Sequence, residues 1–80
     1  MRMMKDYREH ITIDPEIMMG KPVIAGTRIP VEMILRDLGA GMTPEELLRA
    51  YPQLTMDDIH AAQAWAADYL ANEITAPIGK

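Results

Sequence analysis

The sequence predicts a mainly α fold in which three helices, the last two in helix-turn-helix order, follow a short β element or hairpin. Three observations carry this. An apolar stripe recurs at helical spacing through Val31, Ile34, Leu35 and Leu38. Two helix-start signatures, "TPEE" from Thr43 and "TMDD" from Thr55, follow one another. Between residues 20 and 31, "GKPVIAGTRIPV" packs two glycines, two prolines and two cations into twelve positions, the composition of a bend rather than of a helix.

Taken in order, residues 7–13, "YREHITI", alternate Tyr7, Glu9, Ile11 and Ile13 against Arg8, His10 and Thr12. They read as a short strand, with Glu9 the one misfit on the apolar side. Asp14 before Pro15 turns the chain, and "IMMG" fits a helical turn or a loop equally. Pro22-Val23-Ile24 is extended, and Arg28-Ile29 is held extended by Pro30. Ala25-Gly26-Thr27 between them fits a tight turn in which Gly26 supplies the positive φ. Pro30 suits the first position of the first helix, which stops at Gly39 or Gly41.

The second helix has Thr43 as N-cap, Pro44 at N1 and Glu46 closing a capping box, and runs to about Tyr51, where Pro52 ends it. Leu47, Leu48 and Tyr51 are its core residues. The third starts at the Thr55 cap, with Asp58 in the N3 role, and continues to about Glu73. Its expected buried stripe is Ile59, Ala62, Ala66, Tyr69 and Leu70. A second row, His60, Ala64, Ala67 and Ala71, follows the same spacing on another side. Its small side chains would let a second helix approach, which makes it the self-association candidate, although helix propensity alone also explains alanines. The expected boundaries are a flexible N-terminus over 1–6, one domain over 7–73 and a flexible tail over 74–80.

Eighty residues make one small domain, whose core alone gives thin stability. No cysteine is present, so disulfides and thiolate-held zinc are excluded as staples. Association with itself or a partner remains the common route to more buried area, hence the expectation of a homo-oligomer. The charged start "MRMMKDYREH" has no apolar stretch of signal-peptide length, and no window approaches the ~20 apolar residues of a membrane span. The expected location is cytoplasmic, with no membrane partner. Residues 1–40 balance six cations against six anions, whereas residues 41–80 hold Arg49 and Lys80 against six carboxylates. The C-terminal half is therefore a poor phosphate-binding surface and suits a basic protein partner.

The chemistry-bearing motifs are few. A Walker loop requires a lysine followed by Ser or Thr, but Lys21 is followed by Pro22, so the bend reading prevails over nucleotide binding. His10 and His60 are the only histidines, and each reads as a surface or hydrogen-bonded residue rather than a metal ligand. Asp57 and Asp58 lie in a first helical turn, where carboxylates complement the helix dipole. Serine and cysteine are both absent, which removes the usual nucleophiles. No catalytic residue, metal or cofactor is expected, and the chain reads as non-enzymatic. The helix-turn-helix order raises DNA binding, yet the start of the reading helix would be Met56-Asp57-Asp58, which repels phosphate. Arg8, Lys21, Arg28 and Arg36 remain as possible DNA contacts.

The runs "IDPEIMMGKPVIAGTRIPVEMIL" and "GMTPEELLRAYPQLTMDDIHAAQAWAADY" resemble the domain-of-unknown-function family 433 over about residues 10–72. The resemblance implies a helix-turn-helix, homeodomain-like fold with a short N-terminal β element. It also implies an antitoxin-like role beside a PIN-like, ribonuclease-type protein in a toxin–antitoxin system, with DNA-binding autoregulation as the alternative. Gly20, Lys21, Pro22, Gly26, Thr27, Arg28 and Pro30 carry the motif and are the partner-binding candidates. Met18-Met19 departs from the small or polar residue common before the motif glycine. Arg28 is not needed to make the turn, so it serves either a partner or an ion pair with Asp14 or Asp37.

Overall fold

The structure, a computed structural model, describes residues 6–78. Its elements are a 3-10 helix at Tyr7–His10, strand β1 at Ile11–Thr12, a single-turn 3-10 segment at Met18–Gly20, strand β2 at Val23–Ile24, and helices α1 (Val31–Gly39), α2 (Pro44–Ala50) and α3 (Met56–Ile78). The mainly α class with a small antiparallel β element is as expected. The core is one cluster in which Ile24 and Ile29 of the β region meet Val31, Ile34, Leu47, Leu54, Ile59 and Ala62. Each helix thus contributes its apolar stripe to a single centre.

Both helix starts form as their sequences dictate. Thr43 and Glu46 exchange hydrogen bonds in a complete capping box, with Pro44 at the first turn. Thr55 and Asp58 do the same for α3, the Thr55 N–H donating to Asp58 Oδ2 at 3.0 Å and the Asp58 N–H to Thr55 Oγ1 at 3.1 Å. After α1 the chain reverses through Gly41 at φ 105°, the left-handed conformation that glycine adopts at least cost.

The β element differs from the expectation in three respects. Residues 7–10 are not strand: Asp6 caps them by accepting from the Arg8 N–H at 2.9 Å, and Tyr7 and His10 are held by residues of α3. Strand β2 pairs with β1 in the antiparallel register Ile11↔Ile24, Thr12↔Val23. The arm expected to pair with it supplies only one bridge, Val23↔Pro30, because α1 opens at Val31 on one side and the Ile29 N–H turns to Thr27 Oγ1 on the other. The tight turn itself is present, with Gly26 at φ 81° and the Thr27 N–H donating to the Ile24 carbonyl at 3.0 Å. Pro30 is the N-cap of α1 rather than its first residue.

Helix α3 departs from its expected stripe at the far end. Ile59 and Ala62 are buried and Ala66 half-buried, but Tyr69 and Leu70 are about half exposed. The buried core cluster does not reach that part of the helix; there Tyr7 comes across to Asp68. The helix also passes the expected stop at Glu73 and runs to Ile78. Residues 1–5 of the expected flexible N-terminus, and 79–80 of the tail, lie outside the described residues.

Candidate partner-binding surface

The bend at residues 20–31 divides its motif between two clefts. Lys21 and Pro22, with Gly20, line an apolar groove of about 420 Å³ whose other walls are Ile13, Val31, Leu35, Trp65 and Tyr69. Trp65 and Tyr69 stack in it with centroids 5.2 Å apart and planes 9° from parallel, an arrangement that follows from their i, i+4 spacing on α3. At the rim Lys21 Nζ donates to Glu32 Oε2 at 2.9 Å. That hydrogen bond and the lysine charge, with Arg36 adding less, hold the Glu32 carboxyl below its usual range.

The second cleft, about 440 Å³, is lined by Thr12, Ile17, Gly26, Thr27, Arg28 and Gln53. Thr27 organises it. Its hydroxyl donates to the Ile24 carbonyl at 2.8 Å and accepts from the Ile29 N–H at 2.9 Å, so the backbone on both sides of Arg28 is tied down. Arg28 is exposed, and among the described residues it makes no ion pair with Asp14, Asp37 or any other carboxylate. The expected structural pairing is therefore absent. Gly26 is required for its positive φ alone, because a Cβ there would meet nothing within 4 Å.

A polar clasp joins the N-terminal segment to α3. His10 Nδ1 lies 2.8 Å from Asp58 Oδ1. An ionised carboxylate only accepts, so the Nδ1 carries the proton. Asp58 is 9% exposed and uses its other oxygen for the Thr55 cap. Tyr7 Oη donates to Asp68, and that bond, with a smaller contribution from desolvation, raises the Tyr7 pKa. His10 is thus a hydrogen-bonded residue, as its isolation in the sequence suggests. His60 is exposed on the outer row of α3 with Ala67 and Ala71, and Ala64 is half-buried.

The four cations considered for DNA do not gather. Arg8 pairs with Asp6 at 3.5 Å and lies over the Tyr7 ring. Lys21 is committed to Glu32, Arg28 opens into the other cleft, and Arg36 stands exposed on α1. Sequence reasoning did not find Trp65, Thr12 or Gln53. Trp65 was legible from its position three residues after Ala62 and four before Tyr69; Thr12 and Gln53 carried no signal, since they meet only through the fold.

Among the described residues no helix is long and apolar enough to cross a membrane, and no group of three metal-ligating side chains forms. The chain is 39% identical over 59 residues to the uncharacterised protein y4eO of Sinorhizobium fredii, covering 74% of this chain and 27% of that one. It is 54% identical over 28 residues to an uncharacterised protein of Archaeoglobus fulgidus, covering 35% of this chain and 78% of that one. This chain therefore spans only about a quarter of the length of y4eO. The crystal structure of a DUF433 member from Anabaena variabilis superposes with a TM-score of 0.71 at 32% identity, covering 89% of this chain and 69% of that one. The model of the family described as "Protein of unknown function (DUF433)" matches residues 11–66, more than half of the sequence, so the chain belongs to the DUF433 family.

Proposed function

We propose that the chain is a small, non-catalytic, antitoxin-like protein that binds and neutralises a PIN-like, ribonuclease-type partner. The observation that carries this reading is the character of the surface around α3. Its first turn presents the exposed Asp57 while Asp58 is locked inward on His10, so the helix that would read DNA offers a carboxylate and no cation. An acidic first turn of this kind, on a chain of formal charge −4, complements the basic, RNA-binding surface of a nuclease. The groove of Ile13, Leu35, Trp65 and Tyr69, further along α3, supplies apolar area for the same partner to cover. Self-association along His60, Ala64, Ala67 and Ala71 belongs to the same reading, since it adds the buried area that so small a core lacks.

Co-expression of the tagged chain with the protein encoded beside it tests the reading. A stoichiometric nuclease-type protein that survives a high-salt wash and whose RNA cleavage is silenced is the expected result. A chain that emerges alone yet retards its own promoter DNA, with a steep salt dependence, overturns it. The helix-turn-helix order of α2 and α3, with Arg28 and Arg36 exposed, is what would support that regulator.

A further inference from the structure

The cleft at the tip of the bend is electrostatically unlike the rest of the molecule. The chain carries a formal charge of −4, yet the cleft holds one cation, Arg28, with the polar side chains of Thr12, Thr27 and Gln53, and no carboxylate lines it. The other cations near the bend are committed: Lys21 to Glu32 at 2.9 Å, and Arg8 to Asp6. Among the described residues Arg28, like Arg36 on α1, makes no ion pair, and it is the one cation that lines this cleft, on a backbone that the two Thr27 hydrogen bonds fix on either side.

Within the protein-binding reading, on which this inference rests, we propose that the Arg28 cleft receives a single carboxylate side chain of the partner protein. A guanidinium matches the planar geometry of a carboxylate with two parallel N–H donors. Thr12 and Gln53 supply neutral polar groups at the walls, and Ile17 offers apolar surface to the methylene stem of an acidic residue. A nucleic-acid backbone is the poorer occupant, because phosphate tracking needs several clustered cations and Lys21 lies in the other groove. A lone cation facing one carboxylate sets the register of an interface whose remaining charge has the opposite sense.

The test uses the isolated 80-residue chain, labelled with nitrogen-15, and follows the amides of Gly26, Thr27, Arg28 and Gln53. The probes are N-acetyl-glutamate N-methylamide, its glutamine counterpart and inorganic phosphate. The expected result is a saturable millimolar response to the glutamate probe and none to the glutamine one. Arg28→Ala should weaken binding by about tenfold or more, the loss of a charge-assisted pair, and Arg28→Lys should retain part of it. Thermal melts of both variants establish that they fold. An equal response to glutamine, tighter binding of phosphate than of carboxylate, or undiminished binding in folded Arg28→Ala overturns the proposal. Because no partner is present, failure here leaves the co-purification result standing, and failure of co-purification leaves this titration standing.

Discussion

Replacing Asp58 by alanine tests whether the N-terminal segment is clasped to α3 through one residue. Asp58 supplies half of the α3 capping box, accepting from the Thr55 N–H at 3.0 Å, and accepts from His10 Nδ1 at 2.8 Å. Losing the cap and the carboxylate at the helix N-terminus costs about 1 kcal/mol. Leaving His10 without its acceptor costs about 1–2 kcal/mol more, the lower part of the usual range because its side chain is 25% exposed and still reaches water. The sum is about 2–3 kcal/mol, which at roughly 4–8 °C per kcal/mol lowers the melting temperature of a domain this small by about 8–24 °C. Circular dichroism during urea and thermal unfolding reads it. Asp57→Ala, at an exposed neighbour with no such bonds, is the control and should change stability by less than about 1 kcal/mol. A double-mutant cycle with His10→Ala should return a coupling of about 1 kcal/mol. Equal effects of Asp58→Ala and Asp57→Ala, or zero coupling, refute the clasp.

Other predictions concern the groove, the bend and the core. Lys21 lowers the folded-state pKa of Glu32, so the pair's small contribution is present above the ordinary carboxylate pKa and disappears as pH falls through the lowered value. A carbon-13 titration should place Glu32 below the usual range and return it there in Lys21→Met. Met19 sits at φ 58° with 87% exposure, a left-handed strain with almost no packing to lose, so Met19→Gly should stabilise the chain by up to about 1 kcal/mol in urea unfolding. Leu47 is fully buried at the centre of the core, and Leu47→Ala should cost about 2–5 kcal/mol. That is enough to leave a measurable unfolded fraction at 25 °C in so small a domain.

What was legible in the sequence is what short-range chemistry decides. The caps at Thr43 and Thr55, the stop near Gly39–Gly41 and the turn at Gly26 each depend on a few adjacent residues, and each forms. The segment at residues 7–10 was misread because its conformation depends on Asp58 and Asp68, 48 and 61 residues away. Alternation could not reveal that Tyr7 and His10 reach α3. Tyr69 and Leu70 fit the periodicity of a buried stripe, but periodicity says which side of a helix faces inward and not how far the core extends along it. Met18-Met19-Gly20 was undecidable from "IMMG", since three successive positive φ values follow from the geometry of closing the chain onto β2 rather than from any preference of methionine.

The bend from Gly20 to Val31 both fills the core and carries exposed cations. Val23, Ile24, Ile29 and Val31 are buried and anchor the segment. The residues between and before them, Lys21 and Arg28, are exposed and open onto different clefts. Ile29 and Val31 are buried two apart, which sends Arg28, the neighbour of Ile29, to the opposite side. The two cations then have different fates. Lys21 finds Glu32, a fixed distance along α1, and is neutralised within the chain. Arg28, two residues after Gly26 at φ 81°, makes no ion pair among the described residues. A motif built for folding alone would have no use for that difference, because Thr27 and Gly26 complete the turn without the Arg28 side chain. Exchanging Arg28 for glutamine should therefore leave the melting temperature unchanged while weakening capture of the proposed partner by about tenfold or more.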